Sequence, residues 1–283
     1  MALLHITLDL VQKEYQKKAP EWHDSQWNHV NRRFLEKECN QPSEFDPTNI
    51  RQRMIDRNIE QSIVRTCTYG TIHAIFSSQE QNNDIPWSLW ARILRLFYHK
   101  KPFTVFFLAA PHIRELPAPG ETITPYNING GYTYSCNHDT IIIYRAEDAT
   151  RVLIHELQHS SCLDHHELGV DRVEAETEAW AELMYCALLS EGKTHEFHKL
   201  IRQQSAWIQS QNEKVRSFIK DTRSFPWRYT VGKEEVWRRW GIVDGAEKYK
   251  RNIHVYNKSL RLTMPPSRAI KKLFGVSENS IIL

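Results

Sequence analysis

Apolar positions along this chain change their spacing at Pro102 and again near Val152, and those changes divide it into predicted elements. Residues 3–17 and 24–38 carry apolar side chains at helical spacing. After a polar break from Asn40 to Pro47, the stretch from Ile50 to Phe76 places Met54, Ile55, Ile59, Ile63 and Val64 close to that spacing and predicts a longer helix. Pro86 then opens a helix over 87–99, because proline is tolerated in a first turn. The first hundred residues therefore predict an all-helical lobe. From Phe103 the sequence Phe-Thr-Val-Phe-Phe-Leu-Ala-Ala is a continuous run rich in aromatic and β-branched residues, the pattern of a buried strand. A proline-rich loop covers 111–130, and residues 131–136 and 140–144 predict two short strands joined by Asn137-His138-Asp139.

Helical spacing returns after Glu147 and Asp148, two acids that favour the positive end of a helix. Between Val152 and Ser161 every residue is uncharged apart from His155, Glu156 and His159. A second helix is expected from Asp171 to about Gly192. It bears a stripe of Glu174, Glu178 and Glu182 at four-residue spacing, beside the unbroken apolar run Leu183 to Leu189. A long polar amphipathic helix over 193–223, a break at Ser224–Thr230 and a last helix over 231–240 complete the body. The expected fold class is a mostly helical α+β protein with a small sheet ahead of the helix that carries His155. Its expected parts are a helical lobe (1–100), a central domain (101–245) and a basic tail (246–283).

The chemistry lies in His155-Glu156-x-x-His159. Residues four apart on a helix stand one above the other, so both imidazoles can reach one ion, and Glu156 beside the first can take a proton from a water on that ion. A charged carboxylate in so apolar a run needs a reason, and metal-assisted hydrolysis supplies one; the alternative is a core helix whose histidines hydrogen-bond to neighbours.

Val152 to Ser161 resembles the active-site helix of the zincin metallopeptidases. That resemblance implies a zinc-dependent peptide hydrolase in which His155 and His159 are ligands, Glu156 is the general base, and a strand rimming the cleft, here 131–136, binds the substrate backbone. For the third ligand it offers two patterns. Glu178, separated from His159 by eighteen residues (160–177), has the spacing of the gluzincins and is the expected third ligand; Glu182 would then be the acid that orients a ligand histidine. His165 has the metzincin spacing, although Cys162 stands where that family has a glycine suited to a left-handed turn. Glu174 is a further candidate. In the Trp227-Arg228-Tyr229 segment the sequence offers a cleft wall or an oxyanion donor, with packing as the plainer role.

The five cysteines, Cys39, Cys67, Cys136, Cys162 and Cys186, are odd in number, far apart and without a Cys-x-x-Cys pair. This predicts free thiols in a reducing compartment, with Cys162 a small buried hydrophobe at a helix end. The start lacks a basic leader and cleavage site, and no apolar run approaches the roughly 20 residues of a membrane span, so a cytoplasmic location is expected. Residues 246–275 hold eight Lys or Arg and one Glu, a local balance of +7 against +3 for the whole chain. Such a stretch predicts a solvated tail, or an arm for a polyanion or acidic partner. Two other functional classes stay open at this point: an inactive zinc-binding interaction protein, and a nucleic-acid-associated factor with a structural metal site.

Overall fold

The computed structural model describes residues 2–243 and 258–283. The fold is mostly helical α+β, with one mixed sheet of six strands. It divides into two compact units built from non-contiguous segments, the first from Met1–Lys18, Arg114–Ile128 and Asp164–Pro265, the second from Ala19–Ile113, Asn129–Leu163 and Pro266–Leu283. Elements are numbered along the chain.

The first unit contains α1 (Ala2–Tyr15), α5 (Pro125–Ile128), α7 (Val170–Leu189), α8 (Thr194–Val215), α9 (Phe225–Tyr229) and α10 (Val231–Arg239). Helix α7 is buried along its C-terminal half, where every residue from Ala181 to Leu189 is buried, as the apolar run predicts. Neighbours reach its backbone: Trp237 of α10 donates its indole N–H to Ala179 O at 2.9 Å, and Tyr15 of α1 donates to Leu188 O at 3.0 Å. Helix α8 stops at Val215, short of the expected 223. Beyond it the Ser224 hydroxyl accepts the amides of Lys220 and Asp221 in a turn, and Pro226 opens α9.

The expected solvated tail is corrected within this unit. Leu260 and Leu262 are buried in a cluster with Ile123, Ile128, Val215 and Tyr229. Two leucines that each gain roughly 1.5–3 kcal/mol by burial do not stay in water when a core is open to them. Residues 246–257, including Lys248, Lys250 and Arg251, lie outside the described residues. In the second unit, Arg268 and Lys271 of the same basic stretch engage the carboxylate and the backbone carbonyl of Glu278.

The second unit holds the sheet: β1 (His23–Ser25), β2 (Ser62–Cys67), β3 (Gly70–Phe76), β4 (Phe103–Ala109), β5 (Gly131–Thr133) and β6 (Ile141–Ile143), with α2 (His29–Cys39), α3 (Ile50–Asn58), α4 (Trp87–Phe97) and α6 (Ala149–Ser160). The spatial order is β1-β2-β3-β4-β6-β5, so β5 is an edge. Strands β1, β2 and β3 are antiparallel neighbours, β4 is parallel to β3 and to β6, and β5 is antiparallel to β6. The parallel step from β3 to β4 is made through α4, the crossover that parallel strands require.

The all-helical reading of the first hundred residues is thereby corrected. Helix α3 ends at Asn58, and residues 62–76 form the β2–β3 hairpin instead of a continued helix. Ile63, Val64, Thr66, Thr71, Ile72 and Ile75 are β-branched and favour an extended backbone, whereas the spacing of the apolar positions alone fits either form. Gly70 lets β3 approach β4, because a Cβ there would stand 2.8 Å from Phe103 O. The sheet packs Ile75, Phe106, Leu108, Ile142 and Tyr144 against Leu35 of α2 and Ile50, Met54 and Ile55 of α3.

Three contacts fix the parts that matter below. Trp90 of α4 is fully buried and donates to the Thr150 hydroxyl of α6 at 2.9 Å. The first turn of α6, whose amides have no intrahelical acceptor, is met by carbonyls from far along the chain: Asp148 N–H donates to Ile281 O at 2.8 Å and Thr150 N–H to Ile282 O at 2.9 Å. Edge strand β5 is tied to α2 and α3 through Tyr132, which accepts from Arg51 and donates to Glu38 Oε1 at 2.8 Å; Tyr134 donates to the same oxygen at 3.1 Å. Among the described residues, no helix is long and apolar enough to cross a membrane.

Candidate functional site

Helix α6 forms where Val152 to Ser161 predicts it, and it is almost wholly buried. His155 and Glu156 are 6 % and 5 % exposed, while His159 is half-buried. The two imidazoles converge one turn apart, with Nε2 of His155 and Nε2 of His159 separated by 3.0 Å and ring centroids by 4.7 Å. Two nitrogens bonded to one tetrahedral zinc at about 2.0–2.1 Å stand roughly 3.3 Å apart. The pair therefore fits one zinc ion with a shift of a few tenths of an ångström. In a metal-free chain the same separation is one N–H···N hydrogen bond, with one ring carrying its proton on Nε2.

Strand β5 runs against this helix, and Gly131 makes the approach possible. A Cβ on Gly131 would lie 2.7 Å from Val152 Cγ1, 2.9 Å from Ile142 O and 3.3 Å from Glu156 Oε1. The Glu156 carboxylate thus faces the backbone of the edge strand, the place where a strand-like ligand would pair. The sequence names 131–136 as the rim but gives no hint of the role of its glycine.

The segment after β5 is fastened to the end of α6. Cys136 and Cys162 form a disulfide across a sequence separation of 26, with Cα atoms 4.7 Å apart. This corrects the expectation of five free thiols, which holds for buried Cys39, Cys67 and Cys186 only. It also corrects the reading of Cys162 as a buried hydrophobe, since Cys162 and Cys136 are both exposed. Spacing carries no signal for such a bridge, because the topology alone brings the two residues together. Cys162 does adopt a left-handed backbone (φ +57°), the conformation that a glycine would take more readily.

The α7 candidates lie in the first unit, and there the carboxylates have a partner that spacing does not disclose. Lys233 of α10 is fully buried, with its Nζ 3.1 Å from Glu182 Oε2, 3.9 Å from Glu178 Oε2 and 2.8 Å from Leu262 O. Thr263 donates its hydroxyl to the other oxygen of Glu182. Glu182 is therefore held by Lys233 and Thr263. Lys233 also supplies the counter-charge that a buried Glu178 needs, so burial of this stripe does not require a metal. Glu174, one turn earlier, is half-buried.

His165 is exposed (66 %) and lies 3.5 Å from Glu176, which also pairs with Arg239. Trp227 and Tyr229 are buried, and Arg228 donates to Asp171 at 2.6 Å, so in the first unit this segment packs and pairs as its plainer role predicts. The other sequence histidine of note, His73, is buried between Trp27 and Phe106, where burial lowers its pKa to about 4. No protein-family model, curated protein or solved structure matches the chain.

Proposed function

We propose that the chain is a zinc-dependent peptide hydrolase in which His155 and His159 hold the metal together with a carboxylate of α7, and Glu156 is the general base. The observation that carries this reading is the 3.0 Å approach of the two imidazole Nε2 atoms on successive turns of a buried helix, with Glu156 directly after the first. Two neutral imidazoles and one carboxylate are the donor set of a catalytic zinc, which keeps a further position open. For the carboxylate we favour Glu174, which lies one turn before Glu178 on the same helix and is half-buried. Glu178 is less suited because it shares the buried amine of Lys233 with Glu182.

Zinc at this site would polarise the scissile carbonyl and acidify the attacking water. Glu156 accepts the proton of that water and returns it to the leaving amine. Its burial keeps bulk water from competing for the proton on the way. Edge strand β5, fixed through Tyr132, would take the substrate backbone by strand addition, placing it beside Glu156.

Metal analysis and a peptide library test this directly. The parent chain and Glu156→Gln are each expected to bind about one zinc, and only the parent to hydrolyse peptides, since an amide keeps the shape but cannot accept the proton. His155→Ala and His159→Ala are expected to lose both metal and activity. Hydrolysis by Glu156→Gln at the parent rate would refute the mechanism.

A further inference from the structure

We propose that the Cys136–Cys162 disulfide is a reversible thiol–disulfide exchange site, and that its redox state sets how firmly the segment after β5 is held to the backbone of His159. The proposal goes beyond the hydrolase reading and stands on contacts that involve no metal.

Three features converge on these two residues. Both are exposed, whereas the other three cysteines are buried. Both donate their backbone N–H to one acceptor, the carbonyl of His159, Cys136 at 2.9 Å and Cys162 at 3.2 Å. Both hold a left-handed backbone, φ +60° and +57°, which a residue with a β-carbon adopts at a cost. The covalent bond is what keeps two such backbones converged on one carbonyl. Once it opens, each is free to leave the left-handed region, and the two amides leave His159 with them.

Access is provided on the Cys136 side, where an open cavity of about 520 Å³ is bordered by Cys136, His138 and Lys101. A thiolate of an external dithiol enters there and attacks Cys136 Sγ. The S–S bond breaks, and Cys162 departs as a thiolate that takes a proton from water. The second thiol of the reductant then attacks the mixed disulfide and releases Cys136. Two electrons pass to the chain, and the reductant leaves as a cyclic disulfide; an oxidised dithiol runs the sequence in reverse. Exposed disulfides are the labile ones, whereas buried ones resist the cellular thiol pool. The three remaining thiols do not compete. Burial pushes Cys39 up to about 12 and raises Cys67 and Cys186 as well, so none offers a thiolate near neutral pH.

The test uses the full chain, oxidised and without added metal. After incubation with dithiothreitol under native conditions, N-ethylmaleimide and peptide mapping are expected to label Cys136 and Cys162. Cys39, Cys67 and Cys186 should be labelled only after denaturation. Hydrogen exchange read by mass spectrometry is expected to be at least about 10-fold faster after reduction in peptides covering 134–137 and 160–163, as for a local opening. The double variant Cys136→Ser, Cys162→Ser should show the fast exchange with or without reductant. A bridge that opens only when the whole chain unfolds overturns the proposal, as does reduction that leaves exchange unchanged. Should the double variant fail to fold, reduction of the parent decides alone. A chain that binds no zinc would defeat the hydrolase reading and leave these outcomes untouched.

Discussion

Lys233 and Glu182 form an ion pair of 3.1 Å in which neither side chain has any exposure to solvent. Their nearest polar neighbours complete the set: the Leu262 carbonyl accepts from the amine, the Thr263 hydroxyl serves the carboxylate, and Glu178 stands 3.9 Å from the same nitrogen. One lysine from α10 thus answers two carboxylates of α7. Such a pair does not of itself add much stability, but losing one member leaves a bare buried charge.

Replacing Lys233 with methionine is accordingly expected to destabilise the chain by about 3–5 kcal/mol, the cost of stranding a buried partner. Adding Glu182→Gln should recover part of that loss, because the stranded charge is removed. Urea unfolding of the two variants and the parent measures both effects. Equal midpoints for Lys233→Met and the parent would show that the pair carries no such burden.

The same arrangement bears on the proposal of which α7 carboxylate holds a metal. On the proposed assignment, Glu174→Gln should weaken zinc by more than the roughly 10- to 100-fold that follows from losing a residue which merely orients a ligand. Glu178→Gln and His165→Ala should leave zinc affinity near the parent value. Competition with a chromogenic chelator reads all three. A large loss at Glu178 would return the third position to it, and one at His165 would point to the metzincin pattern.

Gly131 is the contact between the edge strand and Glu156, and it has no room to grow. Gly131→Ala puts a methyl group against Val152 Cγ1 and the Ile142 carbonyl, at 2.7 and 2.9 Å before relaxation. Overpacking of this kind costs about 1–3 kcal/mol. A lowered urea midpoint with retained zinc binding is expected; an unchanged midpoint would mean that β5 shifts freely, contrary to its anchoring through Tyr132.

His73 predicts how the metal-free chain responds to acid. The unfolded imidazole binds a proton below about pH 6.5, whereas burial keeps the folded one neutral down to about 4. Its Nε2 lies 3.1 Å from Asn31 Nδ2, a contact that asks the ring nitrogen to accept. Stability is therefore intact above pH 6.5, falls by at most about 3 kcal/mol as pH drops to 4, and is flat below for this group. Urea titrations at pH 7, 5 and 4 should show a shallower fall in His73→Phe, which suits the stack between Trp27 and Phe106. Parallel curves for variant and parent would assign the acid sensitivity elsewhere.

Local spacing of apolar residues is enough to place helices α1, α4, α6 and α7, strand β4 and the β5–β6 hairpin. The convergence of His155 and His159 likewise follows from a four-residue step on a helix. What spacing misses depends on partners distant along the chain. The apolar positions from Met54 to Val64 satisfy a helical period, yet residues 62–76 pair with β1 and β4, and those neighbours are invisible to a local window. Buried acids on α7 call for a counter-charge, but nothing local indicates that Lys233, 51 residues from Glu182, provides it. Cys136 and Cys162 look unrelated along the chain because only the β5–β6–α6 topology makes them neighbours.

The carbonyls of Ile281 and Ile282, which receive the first amides of α6, have a consequence for the order of folding. About 130 residues separate each amide from its acceptor, so these are among the longest loops the chain has to close. During synthesis the helix that carries His155 and His159 emerges long before its first turn can be completed. The first turn of that helix should therefore close later than local contacts such as the β2–β3 hairpin.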